Sequence, residues 1–290
     1  MKHFLPAVCH DQNGFEALVG FYARTKDCYL DDITIDMSKT DWFDADMCAA
    51  LGALLYRLGQ GLNTITLPNI QPKVETILSQ NGFLSHYGRA LLQDQRGITI
   101  PYQRLDPKDD RFFAAYLERE LIQRDDMPSM SAGLLKKFRE SIFEIFSNAV
   151  IHSQTQMGIF CCGQFFPKRG MIYFSVADLG IGIRQNLKNN LGLDLPSQDA
   201  IQWATEGNNT TKRGQIPGGL GLKLLREFIR LNGGCIQIVS DAGYWKQDSA
   251  GILCNKLSQP FPGTVVSVAI NTKDTRSYAL SSELSESDIF

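Results

Sequence analysis

The chain has 290 residues, of which 43% are apolar and 21% charged, and a formal net charge of −2. Such a composition can bury a sizeable core and excludes a disordered chain. With so small a net charge, nothing draws the molecule as a whole onto nucleic acid or an anionic membrane.

Read in chain order, the first third alternates strand and helix, which predicts α/β layers. "ITIDMS" (33–38) alternates apolar and polar residues, as a half-buried strand does. Asp41 or Asp44 can cap a helix whose apolar stripe is Met47, Ala50, Leu51, Leu54, Leu55 and Leu58. "TITLPNI" (64–70) is a second strand, closed by Pro68. Pro72 near the start and Gly82 past the end bound a helix between them. "GITIPY" (97–102) is a further strand, and the polar stretch 104–112 reads as a linker. "FFAAYLERELI" (112–122) is amphipathic and helical.

A long helix follows from about 132 to 153, with Leu135, Phe138, Ile142, Ile145, Phe146 and Ala149 as its core face. "MGIFCCGQFF" and "MIYFSVADLG" flank the break "PKRG" and predict an antiparallel hairpin. Cys161 and Cys162, adjacent within it, should point to opposite faces as packing residues. "GGLGLKLLREFIRLNGG" (218–234) is a helix entered and left through glycines. "CIQIVS" and "GTVVSVAI" are two alternating strands, with 241–262 between them read as a long loop. Residues 273–290 read as a flexible polar tail.

The seven cysteines show no CxxC and no metal-type pairing with histidine, which fits a reducing, cytoplasmic setting. No apolar run approaches the ~18 residues of a membrane span, and the first twenty residues lack a signal-peptide core. Zinc-binding spacing, RNP-like aromatics and strongly basic runs are absent, so neither a membrane nor nucleic acid is expected as a partner.

The chemistry concentrates in the second half. Glu144, Asn148 and His152 recur at i, i+4, i+8 and share one face of the long helix. Three polar groups there are costly in a dry core but natural beside a solvated cleft. The asparagine oxygen suits a hard cation such as Mg²⁺, and the glutamate can serve as a base one turn away. Asp178 ends a strand and is followed by Gly180 and Gly182, which let backbone approach a flat ligand. Gly218, Gly219, Leu220, Gly221 and Leu222 open a helix whose N-terminus favours phosphate. Neither a Walker A nor a Rossmann spacing is present. Thr264 stands at the start of the last strand.

Two family resemblances follow from these residues. The segment from "ITIDMS" to "SQNGF" resembles a STAS-like domain, the fold of anti-sigma-factor antagonists. The loop that carries the phosphorylated serine of that family is "PNIQP" here, without serine or threonine. In the second half, "EIFSNAVIHS", "DLGIGI", "GGLGLKLLREFIRLNGG" and "GTVV" occur in the order of the four boxes of GHKL (Bergerat-fold) ATP-binding domains.

The resemblance implies an α/β chain in three parts. A STAS-like regulatory domain would cover 1–105, and the flexible tail would be 273–290. Between them, over 110–272, would lie a GHKL sandwich, a mixed sheet covered by helices on one face. ATP and Mg²⁺ are the implied cofactors. Asn148 would hold the metal and Glu144 would act as the catalytic base. Asp178 would bind the adenine amine, with Thr264 acting through a water, and Gly180 and Gly182 would line the base. Gly218, Gly219, Leu220, Gly221 and Leu222 would face the phosphates, with Lys212 reaching in from a lid over 184–217 and His152 packing near the nucleotide.

Glu144 points to the hydrolytic branches and the anti-sigma serine kinases, and no phospho-acceptor histidine sits in a helical hairpin before the first box. The expected function is a cytoplasmic regulatory ATPase or serine/threonine protein kinase. The alternative is an ATP-dependent interaction module with little turnover. The STAS-like part implies a protein partner, and a homodimer is compatible with the sequence.

Overall fold

The computed structural model describes residues 2–151, 153–206 and 220–283. It is an α/β protein with two sheets. The first sheet has three parallel strands in the order β1 (Lys2–Phe4), β2 (Asp32–Asp36) and β3 (Thr64–Thr66). Helices α1 (Gln12–Thr25), α2 (Cys48–Gly59) and α3 (Pro72–Gln80) connect and flank these strands. Asp11 caps α1 by accepting from the Gly14 N–H at 2.9 Å, and Pro72 opens α3 as expected. In the loop after β3, Asn69 takes a positive φ of 58° and donates to Asp36 at 2.8 Å.

The second sheet has five strands in the order β4 (Thr99–Leu105), β5 (Ile159–Phe166), β6 (Met171–Asp178), β8 (Gly251–Asn271) and β7 (Cys235–Asp248). All four pairings are antiparallel, so the expected mixed sheet is replaced by an antiparallel one. The strand at 99–105, read as the close of the first region, pairs instead with β5 and forms an edge of this second sheet. The stretch 241–262 is mostly strand rather than loop, because β7 and β8 continue as a hairpin to the turn at 249–250. Its apolar residues are spaced to keep Tyr244, Trp245 and Leu257 buried along the arm.

One face of the second sheet is covered by α4 (Asp110–Leu117), a π-helical turn (Glu118–Ile122), α5 (Ala132–Ile151) and α8 (Leu220–Asn232). Phe113 stacks on Phe146 at 4.3 Å, and Phe138 meets Phe228 edge-on at 5.3 Å. The buried face of α5 carries Leu134, Phe138, Ile142, Ile145, Phe146 and Ala149, with Leu135 half-buried. The other face is covered as well, by α1 and α2, which corrects the expectation of helices on one face only. This location explains α2. Every residue from Cys48 to Leu55 is buried, because the helix lies between both sheets and needs apolar groups all round rather than one stripe. Cys161 and Cys162 do face opposite sides, the first toward α5 and the second toward α2.

Helices α6 (Gly182–Leu191) and α7 (Ser197–Thr205) occupy much of the stretch read as a lid. Ala200 and Ile201 of α7 are fully buried, and the Trp245 indole N–H donates to Gln202 at 2.7 Å. The rest of the lid, 207–217, lies outside the described residues. Residues 273–283, read as tail, are anchored. Tyr278 packs edge-on against Phe228, and its N–H donates to Ser129 O at 3.0 Å. Glu283 accepts from the Gly133 N–H at 2.9 Å in the first turn of α5. Among the described residues no helix is long and apolar enough to cross a membrane.

Candidate functional site

The face of the second sheet toward α5 and α8 is built of cross-strand rows. Phe174, Val268 and Ile236 form one row, and Val176, Val266 and Ile238 the next. The following row is Asp178, Thr264 and Ser240. Three apolar positions thus give way to three polar ones across β6, β8 and β7, at the level where β6 ends and β7 and β8 run on as a hairpin. Asp178 and Ser240 are almost fully buried and Thr264 is half-buried. A polar row at this depth must be hydrogen-bonded to be tolerated.

Its partners come from two turns. Asp178 accepts from the Gly180 N–H at 2.8 Å. Burial raises the Asp178 carboxyl to about 7, with hydrogen bonds from the Gly180 N–H, the Thr264 N–H and the Ser153 hydroxyl acting in the opposite direction. Ser153 lies just past the C-terminus of α5, and its carbonyl accepts from the Ile181 N–H at 2.8 Å. The end of α5 therefore docks directly on the turn after Asp178. Glycine is required there, since a Cβ on residue 180 would lie 2.1 Å from the Ser153 oxygen. Gly182 takes a φ of 74°, in the left-handed region that favours glycine.

Ser240 closes the arrangement. Its Oγ receives the Ile183 N–H at 2.9 Å and lies 3.0 Å from Thr264 Oγ1 and 3.2 Å from Gly263 O. The turn that carries Asp178, Gly180 and Gly182 and the distant Thr264 of β8 are thus assembled around the polar end of β6. Glu144 and Asn148 stand one turn apart on α5, both half-buried and off its apolar face. Leu220 and Gly221 open α8, and Leu222 is partly buried against the shared core. His152, Lys212, Gly218 and Gly219 lie outside the described residues.

A cavity of about 540 Å³ opens beside the same glycine turn. It is lined by Gly180 and Gly182, with Arg57, Arg184, Lys188 and Asp241, and not by Asp178, Asn148 or Thr264. Arg184 and Lys188 both pair with Asp194, at 3.1 and 2.9 Å, and Arg184 also lies 3.8 Å from Asp241, so two carboxylates face these two cations. The chemistry-bearing residues are on the polar row rather than in this cavity.

Among the described residues no group of three or more His, Cys, Asp or Glu side chains could hold a metal ion. The donor at hand is the Asn148 side-chain oxygen, a hard ligand. It suits Mg²⁺, which takes one or two protein oxygens and fills the rest of its shell with water and phosphate, and does not suit zinc.

Two residues of the site were missed in the sequence. Ser153 closes the segment "EIFSNAVIHS", where nothing local marks it as the residue on which the next turn docks. Ser240 did carry a signal: it follows Ile236 and Ile238 at the inward-facing period, where a third apolar residue is expected. Neither a scan against protein-family models nor a search of curated proteins returns a match.

Proposed function

We propose that this protein binds Mg-ATP in a GHKL-type site and acts as a regulatory ATPase or serine/threonine protein kinase related to the anti-sigma-factor kinases. The carrying observation is the junction of the α5 end with the turn after Asp178. It brings a buried carboxylate, two glycines and a threonine to the edge of a helix that carries Glu144 and Asn148. The strand order β5-β6-β8-β7, with α5 before it and α8 inserted between β6 and β7, is compatible with the sandwich that the four sequence boxes imply. The N-terminal three-stranded parallel sheet with its helices agrees with a STAS-like module as the regulatory part. All seven cysteines are free, which fits a cytoplasmic setting.

In this reading Asp178 accepts a hydrogen bond from the adenine amine, and the glycine turn lets the base lie close to backbone. Asn148 would hold Mg²⁺, whose charge neutralises the phosphates. Glu144, one turn earlier, takes the proton from the attacking hydroxyl or water. Isothermal calorimetry tests the site: Asn148→Ala should abolish Mg²⁺-dependent ATP binding, and an unchanged affinity refutes the assignment. Phosphate release separates turnover from binding, with Glu144→Ala expected to bind ATP yet lose turnover by ~10²-fold or more. Labelled ATP with candidate partner proteins then distinguishes kinase from ATPase.

A second reading, a nucleotide-dependent interaction module with little turnover, has one observation in its favour. Ser175 of β6 stands three residues before Asp178 and donates to Asp46 of the N-terminal region at 3.0 Å, so the nucleotide strand is bonded directly to the regulatory part. Negligible phosphate release by the unaltered protein, with ATP still bound, would favour this module.

A further inference from the structure

We propose that a cation–aromatic surface beside the β5–β6 turn docks an acidic segment of a partner protein. The turn, 167–170, lies at the opposite end of β6 from Asp178, so this surface is separate from the nucleotide site. Trp42, in the segment after β2, keeps 43% of its surface exposed although its indole N–H is tied to the Asp44 carboxylate at 2.7 Å. The ring is held in place rather than folded inward. It stacks on Phe166 of β5 at 6.5 Å, and the Arg169 guanidinium lies over both rings, at 5.7 and 5.0 Å. Phe166 rests in turn on Tyr173 at 5.0 Å, and Tyr173 on His10 at 4.3 Å, which backs the platform with a stack reaching into the seam between the two sheets. Phe4 of β1 extends it. This ring is 44% exposed, with the Lys2 and Lys39 ammonium groups 5.1 and 4.8 Å from its centre. The backbone joins the two parts, since the Val8 N–H donates to Trp42 O at 3.0 Å and the Thr40 hydroxyl to Leu5 O at 2.6 Å.

The charges here are mostly of one sign. Lys39, Lys168, Arg169 and Lys273 are exposed and form no ion pair among the described residues; Lys273 donates to Lys168 O instead, at 2.8 Å. The acids of the neighbourhood are already engaged. Asp36 pairs with Lys2 at 2.7 Å, Asp44 is buried and takes the Trp42 N–H, Asp274 is held by Arg276 at 2.8 Å, and Asp11 caps α1. Among the described residues this leaves Asp41, next to Trp42, against four cations. A chain of net charge −2 thus gathers unpaired cations on one aromatic surface, from positions too scattered to form a basic run. Stacking on rings also removes part of the side-chain freedom that Lys39 and Arg169 would lose on binding. Because cations front the rings, carboxylates meet them directly, whereas a nucleic-acid base would have to displace them in order to stack. The exposed parts of Trp42 and Phe4 add apolar contact, as aromatic anchors do at protein interfaces. The fit is an extended acidic segment with apolar residues among its carboxylates. Trp42 belongs to the N-terminal region and Arg169 to the second sheet, so such a segment would lie across both.

Fluorescence anisotropy of the full chain with a labelled peptide of repeating aspartate–glutamate–leucine triplets tests the surface, beside the same peptide with asparagine and glutamine in place of the acids and beside labelled oligodeoxythymidylate. The acidic peptide should bind, more weakly as salt rises, and the neutral peptide should not. Arg169→Glu should weaken binding by ~tenfold or more, and Lys39→Glu and Trp42→Ala by severalfold each. Arg169 sits on an exposed turn, so its variant should keep the far-UV circular dichroism of the unaltered protein; if it does not fold, Lys168→Glu makes the same charge change on the same turn. Asn148→Ala should bind the peptide as the unaltered protein does, which keeps this surface distinct from the nucleotide site. No binding of the acidic peptide, or equal binding by Arg169→Glu, overturns the proposal. So does tighter binding of the oligonucleotide that is lost in the same variants, which would make this a nucleic-acid surface.

Discussion

Asp178 is the residue on which the pocket turns. A carboxyl raised to about 7 by burial is still largely protonated below neutrality, so its ability to accept from an amine grows as pH rises through that value. Under the proposed ATP assignment, affinity should therefore fall as pH drops from 8 to 6, and calorimetry across that range reads it. The same shift has a sign for stability. The folded state holds the proton more tightly than the unfolded one, so Asp178 favours folding below about pH 4, and that contribution is lost as pH rises through about 7. Asp178→Asn should thus raise the stability of the ligand-free protein at pH 8 by ~2–4 kcal/mol and leave it little changed near pH 4, in urea titrations. Gly180 is constrained by space instead. Gly180→Ala drives a methyl into the Ser153 carbonyl and should cost ~1–3 kcal/mol, and an unchanged urea midpoint would mean that α5 does not dock as described.

At the scale of the element, α5 is the beam that carries Glu144 and Asn148, and both of its ends are tied down. Its C-terminal end is held by Ser153 on the glycine turn. Its N-terminal end is held from the far end of the chain, where Glu283 accepts from the Gly133 N–H and the Ser131 hydroxyl, at 2.9 and 2.5 Å. A carboxylate at a helix start satisfies donors that have no partner within the helix. Glu283→Ala should therefore speed hydrogen exchange at Gly133 and Leu134 while leaving the amides near Ala149 protected. Uniform exchange along α5 in both proteins would show the clamp to be inert.

At the scale of the whole molecule, the N-terminal region is bonded to the second sheet and not merely adjacent to it. The sheet face beneath α1 and α2 carries its own polar row, Cys162, Ser175, Ser267 and Gln237. Asp46, fully buried, accepts from Ser175 at 3.0 Å and from His10 at 2.5 Å, and His10 stacks on Tyr173 at 4.3 Å. Gln237 donates to His10 O at 3.1 Å, and Gln164 accepts from the Ala45 N–H at 2.7 Å. Directional bonds of this kind fix one relative placement where apolar packing alone would tolerate several. Unfolding should accordingly be a single transition, with fluorescence, far-UV circular dichroism and calorimetry giving one midpoint. Asp46→Ala leaves the buried His10 ring nitrogen without its partner, while Ser175 can turn to Ser267 at 2.7 Å, and should cost ~1–3 kcal/mol. Two separate transitions in the unaltered protein would show that the regions fold independently.

Alternation in "ITIDMS", the glycine-bounded helix at 218–234 and the 132–153 helix were legible because local period and turn chemistry dictate them. So was the opposite orientation of Cys161 and Cys162, which follows from the pleat alone. The candidate ligand residues were legible as types in an order. Their assembly was not, because a cross-strand neighbour such as Thr264 for Asp178 is set by register between segments far apart in sequence. Likewise, α2 reads the same whether one sheet or two will cover it, and "GITIPY" reads as a strand without naming its partner. Local sequence sets which element each segment becomes. Which elements share a sheet, and which side chains meet across it, is decided only when long-range pairing brings them together.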